Sequence, residues 1–229
     1  MTTTVLPSLV PNSDDAFAAC HFLPWVGSAY AGGVIDGLRV LVLGESQYSF
    51  GLPAGREPES TRLVVQEEIA GRCRHRFISG VTTALFDRGA VDDRARFATL
   101  WNAMAFYNYV QEYVGDRPRE RPSDAAWQRA AVPFRTVLAA LQPDFVLACG
   151  RSLYERLKQV HGLTQYGEYG TDGDQRTRSR LVDLGCGHPG VLGMIYHPAS
   201  FGFRAVEWQP RIREYLARAR QVRASRPSA

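Results

Sequence analysis

Almost entirely apolar segments alternate with amphipathic segments along this chain. The segments at residues 39–43, 144–150 and 190–196 have apolar side chains at consecutive positions, which is typical of strands that helices cover on both faces. Residues 105–110 have the aromatic and β-branched content of a fourth strand. The alternation predicts a three-layer α/β/α fold, with helices on both sides of a central, mainly parallel four-stranded sheet.

The segments between these strands have apolar residues at helical spacing. They predict helices near residues 63–69, 81–86, 94–103, 122–141, 151–160 and 208–222. Asp92 and Asp93 are expected to cap the helix at 94–103, and Pro133 is expected to kink or split the helix at 122–141. The Gly-rich, charged segment 162–180 predicts a loop or a hairpin.

Length and composition favour one domain. A chain of 229 residues that is 45% hydrophobic can bury a good-sized core, so we expect a single domain over residues 1–229. Residues 1–36 are expected to wrap irregularly around it, and residues 205–229 to form an Arg-rich helix and tail. No apolar run is long enough to cross a membrane, and residues 1–15 lack the pattern of a secretory signal. These features predict a cytoplasmic protein.

Arginine supplies almost all of the positive charge, because Lys158 is the only lysine and the net charge is +4. Arginine suits phosphate contacts, so this charge permits a nucleic-acid partner without requiring one. We expect the Arg-rich face of the last helix to be solvated, with contact to nucleic-acid phosphate as the alternative.

The four cysteines are widely spaced and include no Cys-x-x-Cys pair; they are Cys20, Cys73, Cys149 and Cys186. This spacing argues against zinc, an iron–sulfur cluster and a disulfide framework, and it is typical of a reducing compartment. We therefore expect inert core thiols and no metal or other cofactor.

Polar residues stand at the ends of three predicted strands. Glu45 follows the strand at residues 39–43, Asn108 lies near the end of the strand at residues 105–110, and His197 follows the strand at residues 190–196. Because the carboxyl ends of parallel strands meet at one edge of a sheet, we expect these side chains to form one site. Gly44 is expected to allow a tight turn into the first loop. Each residue also has an ordinary structural explanation, such as a hydrogen-bonded His in the core.

The order of four motifs resembles the uracil-DNA glycosylase superfamily over residues 39–215. Residues 44–49 are similar to its first motif, a strand-ending Gly followed by a water-positioning loop. Residues 106–110, followed by an Arg/Pro loop, resemble the segment of the thermophile-type branch that carries a base-reading Asn. Residues 143–152 resemble its unit of Pro, buried strand, Gly and short helix. Residues 197–200, His-Pro-Ala-Ser, are similar to its second motif.

The first motif departs from the best-known branch of that superfamily. Ser46 stands where that branch has an Asp, so the usual general base is missing here. Glu45 is the only carboxylate nearby, as in branches whose motif begins Gly-Glu. Those branches often bind an iron–sulfur cluster, for which this chain lacks the cysteine spacing.

The resemblance implies a uracil-DNA glycosylase-like fold and a role for each candidate residue. Glu45, with Ser46 beside it, would orient water or stabilise the positively charged sugar, and His197 would donate to a carbonyl oxygen of the departing base. Asn108 would bind the edge of a pyrimidine, in either of its two amide orientations. Around the base and along the DNA the further candidates are Gly44, Tyr48, Phe50 and Phe106, and Ser152, Ser200, Phe201, Phe203 and Arg204.

These further candidates have three kinds of role. Phe50 or Phe106 would stack on the flipped base, and Tyr48 would contact its C5 edge. Phe201 or Phe203 would fill the gap left in the base stack. The two serines and Arg204 would contact backbone phosphates.

Three functions are consistent with these features. The first is a monomeric DNA glycosylase that removes uracil or another altered or modified pyrimidine from duplex or single-stranded DNA. The second is a catalytically silent protein of the same fold that binds nucleic acid or a nucleobase, because Ser46 replaces the expected acid. The third is a hydrolase or transferase for a free nucleotide. The orientation of the Asn108 amide leaves uracil and cytosine derivatives equally open.

Overall fold

A computed structural model describes residues 14–49, 57–115, 120–160, 165–169, 179–183 and 189–226 of the chain. In this part of the chain, seven strands form one sheet in the order β1-β3-β2-β4-β7-β6-β5. The strands are β1 (Trp25–Val26), β2 (Val40–Gly44), β3 (Ala105–Asn108), β4 (Phe145–Cys149), β5 (Gln165–Tyr169), β6 (Ser179–Asp183) and β7 (Pro189–Ile195).

Eight α-helices accompany the sheet in the same described ranges. They are α1 (Ser60–Ile69), α2 (Arg76–Leu85), α3 (Gly89–Asp92), α4 (Arg94–Asn102), α5 (Asp124–Arg129), α6 (Ala131–Leu141), α7 (Arg151–Arg156) and α8 (Ala205–Ala224). None of the described helices is both long and apolar enough to cross a lipid bilayer.

The sheet is mixed, with a parallel centre and antiparallel edges. The neighbours β3, β2, β4 and β7 run parallel, whereas β1 is antiparallel to β3, and β6 is antiparallel to both β7 and β5. The α/β class is therefore confirmed, but the expected count of four strands is too low. One added strand, β1, comes from the segment that was expected to be irregular.

Two layers of helices cover the sheet, as adjacent residues of β3 demonstrate. The ring of Phe106 lies 5.3 Å from that of Phe77 in α2 and 6.4 Å from that of Trp101 in α4. The next residue, Tyr107, stacks on Phe134 of α6 with ring centroids 6.3 Å apart. Since successive side chains of a strand point to opposite faces, α2 and α4 lie on one face and α6 on the other.

Two helix boundaries follow the signals in the sequence. Asp93 caps α4 and accepts a hydrogen bond from the backbone N–H of Arg96 at 3.0 Å. The helix predicted over 122–141 is split at Ala130, so that Pro133 lies in the first turn of α6. Proline is tolerated in a first turn, because its missing N–H has no partner there in any case.

The arginines of the C-terminal helix are partly exposed to solvent, as expected, but some of them and the following Arg226 also form ion pairs. Arg223 and Arg226 pair with the fully buried carboxylate of Asp144, and Arg220 pairs with Asp36 at 2.7 Å. The ion pairs with Asp144 attach the C-terminal end of α8 to the amino ends of the central strands.

The thiols are less uniform than expected. Cys149 is buried in β4 and Cys20 is half-buried, where burial raises its pKa to about 11. Cys73 is exposed, so the expectation of a core thiol is wrong at this position. Cys186 lies outside the described residues.

Candidate active site at the carboxyl ends of the parallel strands

The carboxyl ends of β2, β3 and β7 carry the three residues on which the sequence argument depends. Gly44 and Asn108 are register partners at the ends of β2 and β3, and Glu45 follows Gly44 directly. His197 follows the end of β7, which is separated from β2 by β4. The parallel direction of these strands brings all of these residues to one edge of the sheet.

Gly44 makes room for the side chain of Asn108. A Cβ atom at Gly44 would lie 2.1 Å from Asn108 Oδ1 and 3.3 Å from a ring carbon of Phe106. The backbone of Gly44 has no positive φ, so the expected tight turn is not the reason for glycine here. Close approach of the amide is the reason, and it puts Asn108 on the same face of the sheet as Phe106.

Asn108 is held in place by its backbone and is nearly buried. Asn108 is 6% exposed, and its backbone carbonyl accepts a hydrogen bond from Gln111 Nε2 at 2.8 Å. The Gln111 carboxamide in turn accepts from the backbone N–H of Phe22 at 2.9 Å. The backbone of Asn108 is thus fixed, and its side-chain amide brings one donor and one acceptor group to the strand end.

His197 joins this cluster through an aromatic contact with α2. Its ring lies 5.4 Å from that of Phe77, which also packs on Phe106. A Cβ atom at Gly80, one turn further along α2, would lie 2.9 Å from the side chain of Pro198. The glycine thus allows α2 to lie directly against the turn that carries His197.

The local hydrogen bonds define the state of the His197 ring. The backbone N–H of Ala199 donates to Nδ1 at 3.3 Å, which requires that Nδ1 carry no proton. Burial lowers the pKa of His197, and the positive charges of Arg121 and His75 lower it further. The residue is surrounded by protein on the side of α2 but still has solvent-accessible surface. The neutral ring carries its proton on Nε2.

Glu45 is paired with an arginine at the same edge of the sheet. Its carboxylate is 14% exposed and accepts from Arg121 NH1 at 3.1 Å, whereas the Arg121 side chain is 73% exposed. The same Arg121 charge acts on His197, so the pair stays within electrostatic range of the imidazole. The Glu45 carbonyl accepts from Val110 N at 2.9 Å, which fastens this loop to the one after β3.

The first loop also places the other predicted residues of its motif. Ser46 and Tyr48 are half-buried in it, and Gln47 between them donates to Thr61 Oγ1 of α1 at 2.9 Å. Phe106 is 3% exposed and forms part of the core below Asn108, so it supports the site from beneath rather than offering an open face. Phe50 lies outside the described residues.

The residues predicted along the DNA differ in accessibility. Phe201 is 99% exposed on the turn after His197, whereas Phe203 is half-buried and packs against the core. Ser200 Oγ donates to the carbonyl of His197 at 2.7 Å and so helps to build the turn. Ser152 in α7 and Arg204 before α8 are exposed, and Arg204 pairs with Glu207 at 3.2 Å.

Three residues of the site had no predicted role from the sequence. His75 and Phe77 open α2, and they reach His197 only because α2 packs against the β7 turn. Arg121 belongs to the Arg/Pro loop after β3, and its position in that loop was the one available signal. No motif spacing relates these residues to His197.

No protein-family model matches the sequence, and no curated protein matches it.

Proposed function

We propose that this protein is a DNA glycosylase, which hydrolyses the N-glycosidic bond of uracil or another altered pyrimidine flipped out of DNA. The state of His197 carries the proposal. An Nδ1 that accepts a hydrogen bond and a lowered pKa together favour a neutral ring with an Nε2–H donor near pH 7. Such a donor, at the same end of the parallel strands as the buried amide of Asn108, suits a leaving base that gains negative charge.

The base side of the reaction would use these two groups together. His197 would donate to a carbonyl oxygen of the base as its charge grows, a role worth roughly 10²–10³ in rate. Asn108 would bind the donor–acceptor edge of the same base, with Phe77 as an apolar neighbour. The amide can be turned either way, so this edge suits uracil and cytosine derivatives alike.

The sugar side would use Glu45, which would orient the attacking water or stabilise the oxocarbenium-like transition state. Arg121 holds the carboxylate before substrate binds. An ion pair that involves an exposed side chain such as Arg121 contributes only about 0–1 kcal/mol of stabilisation. A DNA phosphate can therefore compete for Arg121 and release Glu45.

The exposed ring of Phe201 supports DNA as the partner. An apolar ring that projects from a turn is suited to inserting into a base stack. Its position, four residues after His197, would bring it to the strand beside the flipped base.

The test is an assay for abasic sites with oligonucleotides that carry uracil, hypoxanthine, or 5-substituted or glucosylated pyrimidines. We expect product from at least one base, and a reduction of roughly 10²–10⁴-fold in Glu45→Gln and in His197→Ala. Glu67→Gln removes an exposed carboxylate outside the site and should leave the rate unchanged. No abasic product from the whole panel would contradict the proposal.

A second candidate is a protein that binds nucleic acid or a nucleobase without cleaving it. The ion pair between Glu45 and Arg121 favours it, because it neutralises the only carboxylate of the first loop, and Ser46 supplies no acid. This candidate predicts salt-dependent DNA binding in which the affinity is unchanged by Glu45→Gln and no base is released.

A further inference from the structure

A cavity of about 480 Å³ lies apart from the residues of the proposed active site. Its lining includes two aromatic side chains, two carboxamides and one ion pair, namely Tyr109, Trp127, Gln128, Gln159, Asp124 and Arg156. This volume is within the range of about 300–1,000 Å³ that small-ligand sites have. The proposed reaction assigns none of these six residues a role.

The walls of the cavity combine a stacking surface with polar groups. The Arg156 guanidinium lies 5.0 Å from the centre of the Trp127 ring, and its NH1 donates to Asp124 Oδ1 at 2.8 Å. Gln128 and Gln159 each add a donor and an acceptor. A planar aromatic ring with polar edges, such as a nucleobase, matches both features, because it can stack on the Arg156 guanidinium that lies over Trp127 and can hydrogen-bond at its rim.

The cavity and the active site lie on opposite sides of the same strand end. Asn108 shares its face of the sheet with Phe106 and α2, whereas the next residue, Tyr109, packs on Phe134 of α6 and on Trp127 of α5. The two sites also share one chain segment, since Asp124 stands three residues after Arg121. A DNA strand that presents one base to Asn108 would therefore pass close to the cavity.

We propose that this cavity is a second nucleobase subsite, which takes the base next to the flipped one in the bound strand. This inference rests on the proposed function. It makes the enzyme bind two bases of the strand separately, one at the reactive centre and one on the opposite side of the end of β3.

The experiment measures binding of the full chain to labelled single-stranded oligonucleotides by fluorescence anisotropy. The target nucleotide carries a 2′-fluorine, which makes its glycosidic bond resistant to hydrolysis, and an abasic tetrahydrofuran spacer replaces one normal base at a time. We expect the Kd to rise about 5- to 150-fold when the spacer replaces one base adjacent to the target, as the loss of a stacked base predicts. Spacers at distant positions should change the Kd little.

Two variants connect this penalty to the cavity. Arg156→Gln should weaken binding of the intact strand and remove the position-specific penalty. Arg129→Gln also removes one positive charge, but Arg129 lies in α5 and does not line the cavity. This variant should keep the position-specific penalty. Thermal unfolding checks that both variants are folded. The spacer scan of the wild-type protein tests the subsite even if a variant does not fold.

The outcomes separate this inference from the proposed function. Equal Kd values at all spacer positions, or a penalty that persists in Arg156→Gln, would overturn the subsite. Saturable binding of free nucleoside monophosphates without a positional penalty would overturn it too, because the ligand would be a free nucleotide. The proposed function fails if the wild-type protein releases no base in the abasic-site assay. The spacer scan is independent of that result, because it measures only binding.

Discussion

At the scale of single residues, the charge state of His197 depends on its neighbours. Arg121 is salt-bridged to Glu45, and its positive charge also lowers the pKa of His197. One guanidinium therefore pairs with the Glu45 side chain and also favours a neutral imidazole at His197. The proposed reaction requires this neutral ring, because its N–H donates a hydrogen bond to the departing base.

Arg121→Gln is predicted to shift the acid limb of the pH–rate profile to higher pH. The neutral form of His197 exists above its pKa, so the rate should fall as the pH drops through that value. Because Arg121 lowers the pKa, its removal should raise the pKa and move the limb upward. The measurement is kcat/KM against pH, with the His197 ring followed by NMR.

The control for this shift is Arg88→Gln. Arg88 is an exposed arginine that pairs with Asp92, and it has no part in the site. The Arg88 variant should keep the wild-type acid limb. An unchanged limb in Arg121→Gln would show that Arg121 does not act on His197.

At the scale of elements, the pairing of β2 with β3 creates the base-reading position. Gly44 is the register partner of Asn108, and its missing side chain is the space that the Asn108 amide occupies. The neighbouring loops continue this pairing, since Tyr109 N donates to the Gly44 carbonyl at 2.9 Å. The position of the Asn108 side chain thus depends on both β2 and β3, and not on β3 alone.

Gly44→Ala is predicted to impair activity more than stability. The added Cβ would collide with Asn108 Oδ1, which can move because it is the end of a side chain. A displaced amide would lose two hydrogen bonds to the base, so we expect excision to fall by roughly 10- to 100-fold. The measurement is single-turnover excision alongside thermal unfolding.

Gly32→Ala is the matched control, because nothing lies within 4 Å of a Cβ atom at that position. It should leave the excision rate at the wild-type value. Equal rates in both alanine variants would refute the role of Gly44 in orienting Asn108.

At the scale of the whole molecule, a buried carboxylate joins the amino ends of the strands to the C-terminal helix. Asp144 is fully buried and accepts from the backbone N–H of Arg39 at 2.8 Å and from Arg226 NH1 at 2.5 Å. Burial by itself would raise the pKa of Asp144, but the hydrogen bonds from Arg39 and Arg226 outweigh it and lower the pKa. This network lies at the opposite end of the sheet from the candidate site.

Asp144→Asn is predicted to destabilise the fold by about 3–5 kcal/mol at pH 7, because it leaves buried arginines without their partner charge. Since the folded pKa lies below the unfolded value, Asp144 stabilises the protein above the unfolded pKa, and this contribution is lost as the pH falls through the folded pKa. The difference from wild type should therefore narrow in acid. Urea unfolding at neutral and acidic pH measures it.

Asp92→Asn provides the comparison for this result. Asp92 also has two arginine partners, but its side chain is 54% exposed. We expect little change in the free energy of unfolding for this variant. An equally small effect of Asp144→Asn would mean that the buried network does not stabilise the domain.

The sequence by itself determined the central strands, most of the helices and the residues at the strand ends. Consecutive apolar residues identified β2, β4 and β7, because burial on both faces leaves no polar alternation, and Asp93 and Pro133 marked helix boundaries, because their effects act within one turn. The hairpin offered as one alternative for residues 162–180 corresponds to β5 and β6, whereas β1 was missed, because its pairing with β3 depends on a partner distant in sequence.

Only the tertiary structure decided what surrounds the candidate residues. The sequence places Glu45, Asn108 and His197 at strand ends, but it does not relate His197 to Phe77 or Glu45 to Arg121, which stands 76 positions away. It also gave the wrong reason for Gly44, whose purpose is clearance for a side chain on the next strand. Local preferences act over a few residues, whereas protonation states and clearances depend on groups that only the packed chain brings together.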